Sequence, residues 1–268
     1  MFVKVTGRFI CNSIRAAMAF RTVFQAMRWA KQAASGVDRW FSHMKDGASF
    51  MTSDGIRHVI SVVATLFFVL ASPMPVNAAD KPLRIVAYGD SLTAGYGLPT
   101  SAAFPVQLQK VLEARGRKIV IENAGVSGDT AQAGLERLDW SIGDGVDGVI
   151  LELGANDALR GLDPAQTRGA LEAIILRLKA RKIPVMLAGM RAPPNLGSAY
   201  ASRFDRIFGD LAAAHGLVLY PFFLEGVAGD RSLNQSDGIH PTAQGIRIIA
   251  ERIAPTVETF LDAIRPKG

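Results

Sequence analysis

The sequence holds a single cysteine, Cys11, among its 268 residues. Because it lies near the N-terminus, the rest of the chain has no disulfide bond, thiolate metal site or cysteine nucleophile. Histidine is nearly as scarce, since only His215 and His240 lie beyond residue 79. No group of His, Asp and Glu has the spacing of a zinc site, and no glycine-rich phosphate loop is present. We therefore expect neither a metal nor an organic cofactor, and we interpret His215, at a predicted helix end, as structural.

An excess of positive charge is missing from residues 80–268, although the whole chain carries a formal charge of +6. Residues 1–79 contribute the entire excess, and residues 80–268 balance 21 basic against 21 acidic side chains. The high isoelectric point is therefore no sign of a basic binding surface on the folded part of the chain. We expect no nucleic acid partner.

The apolar run at residues 59–71 is too short to cross a bilayer comfortably, because a spanning helix takes ~20 residues. Arg57 precedes the run, and small residues follow it up to Ala78 and Ala79. This order is typical of a secretory signal peptide cleaved after Ala78 or Ala79. We expect a periplasmic or secreted protein with no stable membrane anchor after cleavage. A retained anchor is the alternative.

Three segments are predicted along the chain. Residues 1–50 are interpreted as an extension without a fold, or as sequence upstream of a true start at Met51. A transit peptide or a membrane-surface helix are alternatives for this basic segment. Residues 51–79 form the predicted signal peptide. Residues 80–268 suit one domain with a sizeable core, which we expect to be a monomer.

Beyond residue 80, short apolar and β-branched segments alternate with helical patterns. This alternation predicts a parallel sheet covered by helices on both faces. The predicted strands are 83–88, 118–122, 147–153, 183–189 and 217–220. The predicted helices are 104–115, a helix capped by Asp129 or Thr130 that runs to about 138, 163–181, 199–215 and 242–263.

Three polar or glycine motifs follow the first three predicted strands. Ser91 follows the first strand, Gly128 the second and Asn156 the third. Ligands of such sheets bind beyond the carboxyl ends of the strands. We therefore expect these three residues to line one active-site rim.

Ser91, His240 and Asp237 are the candidate catalytic residues. A serine hydroxyl is a poor nucleophile until a neighbouring base takes its proton, and an imidazole is such a base. Asp237 lies three residues before His240, where its carboxylate can reach one ring nitrogen and fix the tautomer. Activity should then fall once His240 is protonated. Taken singly, the Asp90-Ser91 pair is equally typical of a turn. A histidine such as His240 is by itself more often structural than catalytic, and the nearby Asp237 favours the catalytic interpretation.

Gly128 and Asn156, together with the backbone N–H of Ser91, are the candidate donors to an oxyanion. Donors fixed in advance stabilise the charge that develops during acyl transfer, each by ~3 kcal/mol. Taken alone, Gly128 is more typical of a turn with positive φ than of an oxyanion hole, and Asn156 is more typical of a loop cap. Asp90 and Asp129 are expected to bond the loop backbone.

Four sequence blocks resemble those of the SGNH (GDSL-type) hydrolases. They are Gly89-Asp90-Ser91-Leu92, Gly128, Gly154-Ala155-Asn156-Asp157 and Asp237-Gly238-Ile239-His240, in that order. The resemblance implies a flavodoxin-like three-layer α/β/α sandwich with a five-stranded parallel sheet. It also implies Ser91 as nucleophile, Asp237 and His240 as its partners, and Ser91, Gly128 and Asn156 as the oxyanion hole.

Further motifs resemble one branch of that family, the periplasmic esterases described as acyl-CoA thioesterase, lysophospholipase and arylesterase. These motifs are 91–98, 127–130, Gly161 and 221–223. The resemblance implies small-molecule esters and thioesters as substrates. Ala155 stands where that branch commonly has glycine, and we expect no loss of chemistry from it. The residues expected to hold an acyl chain or aryl group are Leu159, Leu162 and Leu196.

Two other functions remain open from the sequence. A carbohydrate or peptidoglycan O-deacetylase uses the same machinery and differs in having a small, polar acyl pocket. A non-catalytic protein that binds lipids or glycans belongs to a different class, and the intact triad residues are evidence against it.

Overall fold

The computed structural model describes residues 81–264. The predicted extension at 1–50 and the predicted signal peptide at 51–79 lie outside the described residues, as do residues 265–268. Among the helices of 81–264, none is long and apolar enough to cross a membrane.

Residues 81–264 form five strands and seven α-helices. The strands are β1 (Leu83–Gly89), β2 (Ile119–Gly125), β3 (Gly148–Glu152), β4 (Val185–Ala188) and β5 (Val218–Tyr220). The helices are α1 (Ser91–Ala94), α2 (Phe104–Ala114), α3 (Ala131–Ser141), α4 (Ala155–Leu159), α5 (Pro164–Ala180), α6 (Ser198–His215) and α7 (Ala243–Ile264). Short 3-10 helices lie at Thr100–Ala102 and Pro194–Leu196.

The five strands form one parallel sheet in the order β2-β1-β3-β4-β5. Helix α2 packs against α7, whereas α3, α5 and α6 pack side by side in a second helical layer. The predicted three-layer α/β/α sandwich is confirmed. Strand order reverses at β1, so the crevice for a ligand is expected at the carboxyl ends of β1 and its neighbours.

Helix caps explain why several elements begin where the sequence predicted. The Thr130 hydroxyl accepts a hydrogen bond from the N–H of Ala133 at 3.2 Å and caps α3. The Asp163 carboxylate accepts one from the N–H of Ala165 at 3.1 Å, and Pro164 then occupies the first turn of α5. Pro is tolerated there because its missing N–H would have had no partner in the helix.

The structure corrects the prediction at two places. Strand β2 extends to Gly125, because its pairing with β1 continues through exposed positions that lack an apolar signal. The loops predicted to carry Ser91 and Asn156 are the short helices α1 and α4. His215 pairs through Nε2 with the carboxylate of Glu172 at 2.9 Å.

Candidate active site

The turn that carries Ser91 is held by Asp90, the residue that follows β1. One carboxylate oxygen of Asp90 accepts a hydrogen bond from the N–H of Leu92 at 2.9 Å and caps α1. Ser91 is 8% exposed at the first position of this helix. Gly89 has no room for a side chain, because an added Cβ would clash with the Thr93 hydroxyl and with Glu152.

The structure brings Ser91, His240 and Asp237 into one line of contacts. The Nε2 atom of His240 lies 2.9 Å from the Oγ of Ser91. Its Nδ1 atom lies 2.7 Å from the Oδ2 of Asp237. The ring therefore joins a hydroxyl to a carboxylate through its two nitrogens, although Ser91 and His240 are 149 residues apart.

Hydrogen bonds to the Asp237 carboxylate keep it ionised. Its Oδ1 accepts from the backbone N–H groups of His240, at 3.0 Å, and Ile239, at 2.9 Å. These bonds and that from the His240 ring lower the pKa of Asp237 to about 2. Asp237 therefore presents an acceptor to Nδ1 throughout the neutral range, which favours the tautomer whose Nε2 faces Ser91 as a base.

Residues around Tyr96 hold the loop that carries His240 against the turn that carries Ser91. The Tyr96 ring contacts the His240 ring, with centroids 4.5 Å apart. The Gln235 side chain donates to the backbone oxygens of Tyr96, at 2.8 Å, and Pro241, at 3.1 Å. The N–H of Gln235 also donates to the His240 backbone oxygen at 2.7 Å. These bonds connect two distant parts of the chain at the site.

The three candidate oxyanion donors differ in what they contact. Gly128 has a φ of 90°, a conformation that favours glycine. Within residues 81–264, the backbone N–H groups of Ser91 and Gly128 donate to no other group. The Asn156 amide instead donates to Oδ2 of Asp90 and to the backbone oxygen of Asp129, each at 3.0 Å. Both amide hydrogens of Asn156 therefore have protein acceptors.

Arg137, which no sequence pattern indicated, fixes the loop that carries Gly128. The prediction that Asp129 bonds loop backbone through its side chain is wrong, because its carboxylate pairs with the Arg137 guanidinium. Arg137 also donates to the backbone oxygen of Gly89 at 2.9 Å and lies 4.1 Å above the Tyr88 ring. It ties the end of β1 to the loop after β2.

Two carboxyl groups are buried behind the turn that carries Ser91. Burial raises the pKa of Asp90 to about 6, against hydrogen bonds from Leu92 and Asn156 that lower it. Burial also raises the pKa of Glu152 well above its usual range, and the charge of Asp90 adds to that effect. Within residues 81–264, no group of His, Cys, Asp and Glu could hold a metal ion.

A cavity of about 620 Å³ opens beside the Ser91–His240 pair. Leu159 lines it, as the sequence predicted, but Leu162 and Leu196 do not. Leu162 lines a separate cavity beside α5. The apolar residues of the lining that were not predicted from the sequence include Met190, Phe222, Leu224, Ala228 and Ile239.

The cavity lining has few charged side chains. Arg191 lines the cavity with its guanidinium 4.8 Å above the Phe222 ring, and no acidic side chain from residues 81–264 lines it. On the oxyanion side, the Arg160 side chain donates to the backbone oxygen of Gly128 at 2.8 Å. The site thus combines an apolar space with a hydroxyl, an imidazole and free backbone donors.

Residues 87–248 match the model of the GDSL-like lipase/acylhydrolase family. Esterase TesA from Pseudomonas aeruginosa is 40% identical over 186 residues, which cover 69% of this chain and 92% of that protein. A protein of Escherichia coli K12 named thioesterase 1/protease 1/lysophospholipase L1 is 36% identical over 206 residues. These cover 74% of this chain and 92% of that protein.

A solved structure also resembles this chain over most of the described region. The structure is that of AlinE4, described as an SGNH-hydrolase family esterase, and its sequence is 45% identical. The match has a TM-score of 0.57 and covers 69% of this chain and 98% of AlinE4.

Proposed function

The chain belongs to the GDSL-like lipase/acylhydrolase family and is a carboxylic ester hydrolase, and from that premise we propose that Ser91, His240 and Asp237 are its catalytic triad. One observation carries this proposal. His240 contacts the Ser91 hydroxyl at 2.9 Å through Nε2 and the Asp237 carboxylate at 2.7 Å through Nδ1. A nucleophile, its base and the group that orients the base are then all within hydrogen-bond reach.

In the proposed reaction, Ser91 Oγ attacks the carbonyl carbon of the ester while Nε2 of His240 takes the hydroxyl proton. The tetrahedral intermediate collapses when His240 gives that proton to the leaving oxygen or sulfur, which leaves an acyl group on Ser91. A water molecule then attacks the acyl carbonyl carbon while His240 takes its proton. The bond to Ser91 Oγ breaks when His240 returns that proton to Oγ, and the acid is released. The Asp237 carboxylate stabilises the imidazolium in both steps.

The oxyanion would be stabilised by the backbone N–H groups of Ser91 and Gly128 and by the Asn156 amide. The two backbone donors have no competing acceptor among residues 81–264. Asn156 would have to share a hydrogen that now contacts Asp90 or Asp129. Its contribution is therefore proposed to be smaller than that of a free donor, which is typically ~3 kcal/mol.

The proposed substrates are esters and thioesters with medium or long acyl chains, including aryl esters, acyl-CoA and lysophospholipids. A cavity of about 620 Å³ with a mainly apolar lining suits a hydrocarbon chain. An enzyme for acetyl groups would need only a small, polar pocket. The names of the relatives, esterase and thioesterase 1/protease 1/lysophospholipase L1, agree with this substrate class.

The proposed site of action is the periplasm or the extracellular space. This proposal rests on the signal-peptide pattern at 51–79, and it makes Ala79 or Asp80 the first residue of a monomeric mature protein. N-terminal sequencing of protein from the periplasmic fraction tests the cleavage site. A first residue upstream of 59 would show that the apolar run is retained.

The substrate proposal is tested with p-nitrophenyl esters from acetate to palmitate and with palmitoyl-CoA. The purified protein, its Ser91→Ala variant and a Ser236→Ala control would be compared. Ser236 is an exposed serine in the loop that carries His240. Turnover of the longer chains that is lost only in Ser91→Ala supports the proposal. Activity confined to acetate would identify a deacetylase, and no Ser91-dependent turnover would favour a binding protein.

A further inference from the structure

Glu152 is a buried carboxyl group for which the proposed triad reaction has no use. It is the last residue of β3, has no exposed surface and pairs in register with Gly89 of β1. Its Oε2 accepts a hydrogen bond from the Thr93 hydroxyl at 2.6 Å. The backbone N–H groups of Asp90 and Thr93 also face the carboxyl group and favour its charged form.

Placing a carboxyl group there is unfavourable for folding. Its Oε1 makes no hydrogen bond with any described residue. The neighbouring positions of β3, Val149, Ile150 and Leu151, are fully buried and apolar. An apolar side chain at 152 would avoid this unpartnered oxygen but would leave the buried Thr93 hydroxyl without its acceptor. The carboxyl group therefore serves the turn that contains Thr93 rather than the packing of the core.

The contact with Thr93 explains the buried carboxyl group, because α1 is too short to be stable by itself. A single helical turn is unstable by itself in water. Ser91 is the first residue of α1 and Thr93 the third. On one side of Ser91, the turn is fixed by Asp90, which accepts from Asn156 at 3.0 Å. On the other side, Glu152 fixes it through the Thr93 hydroxyl, and the Asn123 amide donates to the backbone oxygen of Ala94 at 3.3 Å.

We propose that Glu152 is a positioning residue, which fixes the direction of the Ser91 hydroxyl and N–H by anchoring Thr93 to the end of β3. This inference rests on the proposed role of Ser91 as nucleophile. Glu152 touches neither the substrate cavity nor His240. It acts on the geometry of the nucleophile and leaves the substrate site unchanged.

Thr93→Val tests the anchor, because valine has the shape of threonine and lacks only its hydroxyl. It should lower kcat by roughly tenfold, since a small misplacement of a reacting group reduces the rate strongly. KM should stay close to that of the wild type, because the cavity is intact. Thr93→Ser restores the hydroxyl and should recover most of the lost kcat.

Thr167→Val is the matched control. The buried Thr167 hydroxyl also donates to a carboxylate, that of Asp157, at 3.0 Å. An equal fall in kcat for Thr93→Val and Thr167→Val, in step with equal losses of Tm, would overturn the proposal. So would a kcat for Thr93→Val equal to that of the wild type.

Glu152→Leu tests the same contact from the other side. If Glu152 positions Ser91, this variant should show a kcat as low as that of Thr93→Val, together with a lowered Tm, because the buried Thr93 hydroxyl loses its acceptor. Its combination with Thr93→Val should lower kcat no further, since one contact is lost in both. A loss of Tm with kcat retained would overturn the proposal.

Labelling of Ser91 by a p-nitrophenyl alkylphosphonate separates this inference from the proposed function. If the wild-type protein is not labelled at Ser91, the nucleophile itself is wrong. If it is labelled, the labelling rate should fall in Thr93→Val by the same factor as kcat. An unchanged labelling rate would overturn the positioning role alone.

Discussion

The ring centroid of Tyr96 lies 4.5 Å from that of His240, with an angle of 35° between the two planes. Tyr96 follows the turn that carries Ser91, whereas His240 lies in the loop before α7. The tyrosine restricts the imidazole at its face, and Asp237 holds it at its edge through Nδ1. The ring is thereby kept in the orientation in which Nε2 meets Ser91.

Tyr96→Ala should lower kcat by about tenfold, because the imidazole then has more orientations to adopt before proton transfer. Tyr96→Phe keeps the ring contact and should retain most of the activity. Steady-state kinetics with p-nitrophenyl butyrate would measure both. Equal losses in the two variants would mean that the hydroxyl, rather than the ring face, supports His240.

Ala228→Trp should shorten the acyl chains that the enzyme accepts. Ala228 lines the cavity and is exposed, so a larger side chain there reduces the space without disturbing the core. We expect kcat/KM for palmitate esters to fall by about tenfold or more relative to acetate esters. Ala228→Ser is the control of nearly equal size. An equal reduction for all chain lengths would show that the chain does not occupy this part of the cavity.

Asp90 should make stability depend on pH, and the sign follows from its raised pKa. The carboxyl group titrates at about 6 in the folded protein against an ordinary value of 3.8, so folding favours its protonated form. Its stabilising contribution is therefore fully present below pH 3.8 and is lost as the pH rises through about 6. The difference of about two pKa units corresponds to roughly 3 kcal/mol.

Asp90→Asn removes this dependence because asparagine does not titrate. The free energy of unfolding of the variant, relative to the wild type, should rise by up to about 3 kcal/mol between pH 4 and pH 6.5. Urea denaturation at a series of pH values measures this difference. A difference that stays constant over the interval would contradict the raised pKa.

Arg137→Met should destabilise the fold by about 3–5 kcal/mol, because it leaves the Asp129 carboxylate without a partner in a site where that side chain is mostly buried. Arg177 and Asp139 form a matched control pair at 3.6 Å, since both side chains are exposed. Arg177→Met should change stability by less than about 1 kcal/mol. Similar unfolding midpoints for the two variants would show that the Arg137 pair is no stronger than a surface pair.

The sequence predicted the five strands because their apolar and β-branched runs are short and bounded by polar or glycine residues. Strand β3 shows this most clearly, since the predicted range 147–153 contains the observed Gly148–Glu152. That Ser91, Asn156 and His240 line one cavity was predictable, because they lie in short motifs after strands or before a helix. Helices α1 and α4 were missed because four or five residues carry no helical periodicity.

The lining of the cavity was harder to predict than the contacts of Ser91, His240 and Asp237. Leu162 and Leu196 were chosen as apolar residues of nearby loops, but sequence proximity does not determine which way a loop side chain points. Phe222 and Ile239 lie near opposite ends of a turn-rich segment, and only the folded chain brings them to one cavity. Arg137 and Glu152 act through contacts with distant residues that no local pattern encodes.

The most direct test of the proposed triad is the site of covalent modification by a p-nitrophenyl alkylphosphonate, mapped by mass spectrometry of the peptides. The structure predicts one adduct per chain, on Ser91, with no adduct in Ser91→Ala and much slower labelling in His240→Ala. An adduct on another residue, or continued ester hydrolysis without any adduct, would contradict the assignment of Ser91 as the nucleophile.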